Sequence, residues 1–408
     1  MRRLTLSEYQ TATGIELSAA ERDGLRRLVG SLSIAPTPGQ DGRFDLTPGA
    51  EVGAITLPTL AVTIQPKLPI DRLLFLVSYA MAHDRWREIP FDLEQHDDLL
   101  EAIVPGFVAQ VRRALQRGVL QGYRTEEDAL QTVRGRIRFD EQLRRRQGRL
   151  LPVELRFDEF TTDIEENRLL KAAIHRLRRL RLRSERSRHA LEAFEDALNE
   201  VRLVEYDPRR LPEIGWTRLN VRYRPAVELA RLILRAISFE LGHGATPASA
   251  FLLNMNEVFE NFVVVALRDA LRVNERTFPQ GNAGRWLALD HAGRVRLKPD
   301  LSWWESNRCR FVGDVKYKRV RPDGVLHPDL YQLLAYTIAA DLPGGLLIYA
   351  AGEDEPAIHE ITNAGKHLEV VTLDLSGPPD AVLAQISTVA ARVSRLRASS
   401  PAQSAVYP

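Results

Sequence analysis

The sequence predicts a multidomain α/β protein with a β-rich N-terminal part, a helical middle and a C-terminal α/β domain. Short apolar segments separated by Gly and Pro turns dominate residues 44–69 and are typical of strands. A long polar stretch at 167–204 has the composition of helices. From residue 250 the order becomes helix, strand meander, helix and strand, which indicates a mixed α/β domain.

The N-terminal part combines helices with a small sheet. Gly49, Gly53 and Pro58 mark turns between its strands, and two prolines around Lys67 end the sheet. The predicted elements are a helix at Ser18–Leu32, strands at Phe44–Leu46, Val52–Leu57 and Ala61–Ile64, and helices at Ile70–Ala82 and Leu99–Arg117.

Two features of this part are candidates for binding a partner or DNA. Residues 133–139 alternate arginine with other residues and predict a strand with Arg134, Arg136 and Arg138 on one face. The alternative is an exposed strand face without a partner. Lys67 is a second candidate interface residue, and a structural loop between two prolines is its simpler explanation.

Gly242, Gly244 and Pro247 predict a boundary before the C-terminal domain. Ahead of it, the helical stretch at 167–204 is expected to break near residues 183–187, and an apolar helix is expected at Pro225–Leu241. We therefore expect an N-terminal β-rich domain at 1–165, a helical linker region at 166–246, an α/β domain at 247–398 and a disordered tail at 399–408.

The C-terminal domain is expected to begin with an apolar helix at Leu252–Leu271. A hairpin follows, with strands at Trp286–Leu289 and Val295–Leu297. The remaining predicted elements are strands at Asp300–Trp304 and Arg310–Lys316, a helix at Pro328–Ala340, strands at Gly345–Ala350 and Glu369–Leu375, and a helix at Pro379–Leu396.

Composition excludes several classes of protein. The single cysteine, Cys309, excludes a disulfide framework and a cysteine-rich zinc site. The first residues carry no apolar signal segment, and the longest apolar run, Leu73–Ala82, is far shorter than the roughly 20 residues of a membrane helix. We therefore expect a cytoplasmic protein without membrane contact.

The charge is unevenly distributed, although the net charge is only +2. Residues 101–235 hold 29 Arg and Lys against 21 Asp and Glu, which suits a surface facing phosphates or, alternatively, solvated helix faces. Only six of the 56 basic residues are lysine, and three of these are Lys298, Lys316 and Lys318. A lysine kept where arginine is the rule indicates a position that requires an ammonium group.

Two carboxylates and one ammonium are predicted to converge in this window. Asp300 follows a proline at one strand, and Asp314 and Lys316 lie on the next strand. Residues i and i+2 of a strand point to the same face, so Asp314 and Lys316 share a face while Val315 points into the core. Pairing of the two strands would bring Asp300 beside them.

Such a group suits phosphodiester hydrolysis. Carboxylates are hard oxygen ligands for Mg²⁺, which polarises the phosphate and lowers the pKa of an attacking water. Lys316 can orient that water and offset charge that develops on the phosphate. Glu257 and Glu260 on the preceding helix are candidates for a further metal ligand. Gln332 and Tyr336 on the following helix are four residues apart and share a face that can hold DNA or the metal shell.

The ordered set of a helix glutamate, Pro-Asp, Asp-x-Lys on a strand and Gln-x-x-x-Tyr on a helix resembles the PD-(D/E)xK nuclease superfamily. Several stretches in the same order are similar to the McrC family. They are Ile64-Gln65-Pro66-Lys67, Val133-Arg134-Gly135-Arg136-Ile137, residues 158–163 and 166–171, Asn254 to Glu260, Asp314 to Lys318, and Tyr331 to Tyr336. The resemblance covers nearly the whole chain and implies that Glu260 rather than Glu257 is the helix carboxylate.

The McrC resemblance implies the nuclease subunit of a modification-dependent (type IV) restriction system, which defends against phage and other foreign DNA. It implies a C-terminal PD-(D/E)xK domain that binds Mg²⁺, or Mn²⁺ as a substitute, through Asp300, Asp314 and Glu260, with Lys316 catalytic and Gln332 and Tyr336 in support.

The same resemblance implies an N-terminal domain that docks on a hexameric McrB-like AAA+ GTPase and stimulates it. The partner would read modified double-stranded DNA and bind the GTP. The sequence agrees, because it lacks a Gly-x-x-x-x-Gly-Lys-Ser/Thr loop. Since one nuclease domain cuts one strand, double-strand cleavage predicts pairing of two nuclease copies.

Two other functions stay open at this point. One is a non-catalytic adaptor and GTPase activator whose own nuclease is idle, and the other is a RecB-like nuclease attached to a helicase. The intact Asp300, Asp314 and Lys316 argue against the adaptor. A neighbouring gene for an AAA+ protein with guanine-reading residues would separate the leading hypothesis from the helicase alternative.

Overall fold

A computed structural model describes residues 1–81, 99–180, 182–208, 210–240, 248–279, 285–317, 327–350 and 357–399. Within these ranges the chain has ten α-helices and eighteen strands, and the strands form five sheets. The predicted mixed α/β class is confirmed. No helix within the described ranges has the length and hydropathy required to span a membrane.

The N-terminal elements begin where local sequence favours them. In the first helix, Ser18 Oγ accepts a hydrogen bond from the Glu21 N–H while the Glu21 carboxylate accepts one from the Ser18 N–H, which is a capping box. The elements are β1 (Arg2–Ser7), β2 (Ala12–Glu16), α1 (Ala19–Leu28), β3 (Ser33–Pro36), β4 (Arg43–Thr47), β5 (Glu51–Thr56), β6 (Leu60–Gln65), α2 (Ile70–Met81) and α3 (Leu99–Leu115).

The middle of the chain departs from two predictions. Its elements are β7 (Gly122–Leu130), β8 (Arg136–Ile137), α4 (Phe139–Arg146), β9 (Val153–Thr161), α5 (Glu165–Arg178), α6 (Glu185–Ala197), α7 (Arg224–Ala236) and β10 (Ile237–Glu240). The predicted strand at 133–139 is wrong except at β8, because Gly135 adopts φ +72° at a turn and α4 begins at Phe139. The helix predicted to reach residue 241 ends at Ala236, where the chain enters β10.

The C-terminal elements agree with prediction except that β11 and β17 were not predicted and the first helix begins later. They are β11 (Ala248–Asn254), α8 (Met255–Leu271), β12 (Leu287–Ala288), β13 (Arg296–Leu297), β14 (Leu301–Glu305), β15 (Arg308–Lys316), α9 (His327–Ala339), β16 (Gly344–Ala350), β17 (Ala357–Ile361), β18 (Lys366–Leu373) and α10 (Pro379–Ala398). The helix predicted from residue 252 starts three residues later, because Asn254 is its N-cap and accepts a hydrogen bond from the Asn256 N–H.

One five-stranded sheet joins distant parts of the chain in the order β1-β6-β5-β11-β10. β1 and β6 are parallel, whereas β5 and β11 are antiparallel. Gly53 lies so close to β11 that a Cβ atom there would be 2.0 Å from the Phe251 carbonyl oxygen. Strands from the predicted domains 1–165 and 247–398 therefore share this sheet. The predicted boundary glycines, and the predicted tail beyond Ser399, lie outside the described residues.

The second five-stranded sheet has the order β14-β15-β16-β18-β17, with β15, β16 and β18 parallel. Every residue of β16 is buried, as expected for a parallel strand covered on both faces. On one face, α9 packs Leu333 and Tyr336 against Leu347 and Tyr349. On the other, Val315 and the apolar residues of α8 and α10 belong to the main core.

The main core connects this sheet to the N-terminal part. The Phe262 ring of α8 packs edge-on against Phe75 and Tyr79 of α2, with centroid separations of 5.4 and 5.6 Å. Each such aromatic pair adds about 0.5–1.5 kcal/mol to the burial of its surface. α8 is thus held between the N-terminal helices and the strands that carry the polar residues described next.

Candidate active site

Asp300, Asp314 and Lys316 meet where β14 begins and β15 ends. These strands pair antiparallel with Leu301 opposite Gly313, which places Asp300 and Asp314 on neighbouring strands at the same level. The Asp300 carboxylate accepts a hydrogen bond from the Val315 N–H at 2.9 Å. Since Val315 itself faces the main core, its two neighbours point to the α9 side of the sheet.

Asp314 and Lys316 form an ion pair in a buried setting. The Lys316 Nζ lies 2.5 Å from Asp314 Oδ2, and the Asp314 side chain is only 1% exposed. The ammonium therefore lies directly against one Asp314 oxygen and is the counter-charge of this buried carboxylate. One ammonium does not fully offset the cost of burying a carboxylate beside a second one, so the charged form of Asp314 is poorly stabilised as it stands.

The electrostatics of the pair reflect an excess of negative charge. Burial, followed by repulsion from Asp300, raises the pKa of Asp314 to about 8. Burial opposes the charged form of Lys316, yet the adjacent Asp314 carboxylate outweighs it, and the pKa of Lys316 is raised. One ammonium therefore does not balance the carboxylates gathered here.

Glu260, on the second turn of α8, adds a third carboxylate. Burial raises its pKa to about 7, with Asp300 and Glu257 contributing and Lys316 opposing. Glu257 itself is exposed on the first turn of α8. The carboxylate that is half-buried and interacts electrostatically with both Asp300 and Lys316 is therefore Glu260.

Gln332 and Tyr336 of α9 stand on the same side. The Gln332 amide donates a hydrogen bond to the Tyr336 hydroxyl at 2.8 Å, and that hydroxyl donates to the Lys298 carbonyl at 3.2 Å. Tyr336 is buried, and its pKa is raised by burial and then by Asp314 and Asp300. The pair ties α9 to the residue two positions before Asp300.

The donor set suits a hard divalent cation. Asp300 and Asp314 supply oxygen ligands of the kind that Mg²⁺ prefers, and the buried Asp314 carboxylate, which faces Asp300 with the Lys316 ammonium against it, is the observation that fits a cation. Among the described residues, no three His, Cys, Asp or Glu side chains are grouped closely enough to hold a metal as they stand. A site that includes Glu260 therefore requires its side chain to move.

Sequence reasoning missed Asp329, at the first turn of α9. Its buried carboxylate accepts a hydrogen bond of 2.5 Å from the Tyr349 hydroxyl, and it helps to raise the pKa of Lys316. Tyr349 is the register partner of Lys316 on β16. The available signal was an aspartate three residues before Gln332, on a helix that already carried two candidates.

Three of the four candidate binding residues outside this site contact side chains of the same chain. The Lys67 ammonium lies 4.3 Å from the centroid of the Tyr9 ring. The Arg134 guanidinium lies 3.7 Å from the centroid of the Phe157 ring, and Arg138 pairs with Glu127 at 3.0 Å. Arg136 is exposed on the short β8. None of the four belongs to the cluster around Asp314.

Comparison with known proteins gives a family. A model described as McrBC 5-methylcytosine restriction system component matches residues 46–350. A solved half-complex of Thermococcus gammatolerans McrB AAA+ hexamers with bound McrC contains a chain with a TM-score of 0.54 and 16% identity, covering 96% of this chain and 100% of that chain. A second structure, of the Thermococcus gammatolerans McrBC complex, gives a TM-score of 0.41 and 20% identity over 66% of this chain and 88% of that chain.

None of the curated proteins compared matches this chain. The half-complex chain shows a shared fold, and the family model covers about three quarters of the sequence. The chain belongs to the McrBC 5-methylcytosine restriction system component family.

Proposed function

We propose that this chain is the DNA endonuclease subunit of its restriction system. The observation that carries the proposal is the buried Asp314 carboxylate, placed beside Asp300 and Lys316 at paired strand ends. A destabilised group of this kind is typical of functional sites. Family membership and this cluster are independent reasons for the same proposal.

We propose that Asp300 and Asp314 hold Mg²⁺, or Mn²⁺ in its place, with Glu260 or water completing the ligands. When bound, the ion supplies polarisation of the scissile phosphate and a lower pKa for the attacking water. The Val315 N–H fixes one Asp300 oxygen, so the carboxylate presents the other. Lys316 is the nearest cationic group and donates to the water or to a phosphate oxygen.

The arrangement of α8, β14, β15, β16 and α9 is proposed as the PD-(D/E)xK core. Its helices supply residues from both sides of the strand pair: Glu260 from α8, and Gln332 and Tyr336 from α9. The Tyr336 hydroxyl, held by Gln332 and Lys298, positions α9 against the loop that leads to Asp300. These contacts would limit movement of the Asp300 carboxylate during the reaction.

The partner is proposed from the solved half-complex, in which McrC is bound to McrB AAA+ hexamers. We propose that this chain docks through residues 1–165 on a McrB-like hexamer, which binds GTP and reads modified double-stranded DNA. Two nuclease copies would then pair for double-strand cleavage.

Cleavage of methylated and unmethylated plasmid by the chain with its McrB-like partner, GTP and Mg²⁺ tests the proposal. Wild type should cut, Asp314→Ala should not, and GTP turnover should survive in both. Glu369→Gln is a matched control, because Glu369 is a buried carboxylate on β18 of the same sheet and pairs with Arg392 of α10 at 3.1 Å. If neither protein cuts while GTP hydrolysis is stimulated, the chain is an adaptor and GTPase activator.

A further inference from the structure

Three strand ends meet at one buried carboxylate. Glu8 follows β1, Lys67 lies two residues after β6, and Tyr317 follows β15. Glu8 Oε2 accepts a hydrogen bond from the Lys67 N–H at 3.1 Å and one from the Tyr317 hydroxyl at 3.4 Å. The Glu8 N–H donates to the Gln65 carbonyl at 3.0 Å, which fixes the backbone of Glu8 on β6.

Stability alone does not explain a carboxylate at this position. Glu8 is 0% exposed, and its Oε1 atom has no hydrogen-bond partner among the described residues. Burial raises the pKa of Glu8, and the nearby Lys67 only partly offsets this. An apolar side chain of similar length would avoid the desolvation of a half-satisfied carboxylate.

The Tyr317 side chain links Glu8 to the candidate active site. Tyr317 directly follows Lys316, and its buried ring lies 5.9 Å from the ring of Phe259, centroid to centroid. Phe259 is fully buried and directly precedes Glu260 on α8. A shift of the Tyr317 ring would therefore displace residues directly adjacent in sequence to two proposed site residues, Lys316 and Glu260.

We propose that Glu8 is a positioning residue for the nuclease site. Glu8 accepts a hydrogen bond from the Tyr317 hydroxyl and thereby holds the end of β15 against α8. This contact keeps Lys316 and Glu260 close to Asp300 and Asp314. This inference rests on the proposed nuclease function. It also connects β1, in the part of the chain proposed to dock on the partner, to the catalytic strand.

Replacement of the acceptor and of the donor should have the same effect. Glu8→Met removes the acceptor, Tyr317→Phe removes the donor, and Glu8→Gln keeps an oxygen that can accept. In the holo-complex with partner, GTP and Mg²⁺, we expect the single-turnover rate of DNA cleavage to fall about tenfold in Glu8→Met and in Tyr317→Phe. The double variant should lose no more than either, and Glu8→Gln should stay within about threefold of wild type.

Tyr79→Phe is the matched control, because Tyr79 is also buried and donates to a carboxylate, Asp269, at 2.9 Å away from the site. It should cleave at about the wild-type rate. In Glu8→Met, DNA affinity should be unchanged and Tm should stay the same or rise, since a purely structural role would lower Tm and activity together. Wild-type cleavage rates in both Glu8→Met and Tyr317→Phe would overturn the inference.

Hydrogen exchange gives a readout that does not depend on cleavage. In Glu8→Met, the amides of residues 312–317 and of the first turns of α8 should exchange about tenfold faster, while β18 should be unchanged. Unchanged exchange at 312–317 would overturn the positioning role even if the wild type proved inactive. If the wild type is inactive but shows the expected exchange pattern, the nuclease function is rejected, while the role of the Glu8–Tyr317 hydrogen bond in ordering the end of β15 stands.

Discussion

Replacing Asp314 with asparagine tests whether the metal-free site is electrostatically destabilised. Burial and Asp300 raise the pKa of Asp314 from 3.8 to about 8. At about 1.4 kcal/mol for each tenfold change in proton affinity, this corresponds to on the order of 6 kcal/mol of unfavourable interaction for the ionised form. Asparagine removes that interaction, but it also leaves the Lys316 ammonium without the negative charge of Asp314 beside it. We therefore expect a smaller net stabilisation, about 1–3 kcal/mol.

The pH dependence follows from the direction of the pKa shift. The folded protein keeps the Asp314 proton up to about pH 8, whereas the unfolded chain releases it near pH 4. The folded state binds more protons between these values, so the contribution of Asp314 to stability becomes more unfavourable as the pH rises through this window. The advantage of Asp314→Asn should be absent below about pH 4 and greatest above about pH 8.

Thermal unfolding in the presence of a chelator, from pH 5 to pH 9, measures this. For 408 residues, an unfolding entropy of ~2.1 cal/mol/K per residue converts about 1–3 kcal/mol into a Tm increase of about 1–3 °C. Glu369→Gln, which removes a buried carboxylate paired with Arg392, should lower Tm instead. A Tm of Asp314→Asn at or below that of wild type at pH 8–9 would refute the reasoning.

Three further variants, the last with a matched control, test separate contacts. Lys316→Arg should slow plasmid nicking at least ~100-fold with little change in Tm, because a bulkier, permanently charged guanidinium cannot replace the ammonium. Tyr336→Phe, which removes the hydroxyl bonded to Gln332, should slow nicking several-fold and lower the free energy of unfolding by about 1 kcal/mol in urea titration. Gly53→Ala should lower the free energy of unfolding by more than ~4 kcal/mol, because its Cβ atom would lie 2.0 Å from a backbone oxygen. Gly39 also has a positive φ but lies in open space, so Gly39→Ala should lower the free energy of unfolding by about 1 kcal/mol.

The convergence of the site residues could be predicted because it depends on local geometry. The period of two residues along β15 puts Asp314 and Lys316 on one face and Val315 on the other, and the short connection from β14 to β15 brings Asp300 alongside. Glu260 followed from the family resemblance, since residue patterns alone left Glu257 as an equal candidate.

The boundary between β11 and α8 could not be read from hydrophobicity. Phe251, Leu252 and Leu253 lie only a few residues before the apolar residues of α8, and a short apolar run has no period that separates a buried strand from a buried helix. The usable signal was Asn254, a favourable N-cap, directly before Met255.

Contacts between residues far apart in sequence were not predictable in this way. Glu8 and Tyr317 are 309 positions apart, and each looks like an ordinary strand-end residue in isolation. β7 and β9 were missed for different reasons. β7 is mostly polar and shows no apolar face that predicts a half-buried strand. β9 does alternate, with Val153, Leu155 and Phe157 on one buried face, and this usable signal was overlooked.

Titration of the metal-free protein with Mn²⁺, followed by calorimetry, tests most directly whether Asp300 and Asp314 form the metal site of a nuclease. We expect saturable binding by wild type and by Glu369→Gln, and at least tenfold weaker binding by Asp300→Asn and Asp314→Asn, because each loses a charged oxygen ligand. Equal affinity in all four proteins would contradict the assignment of the metal to this pair of strands.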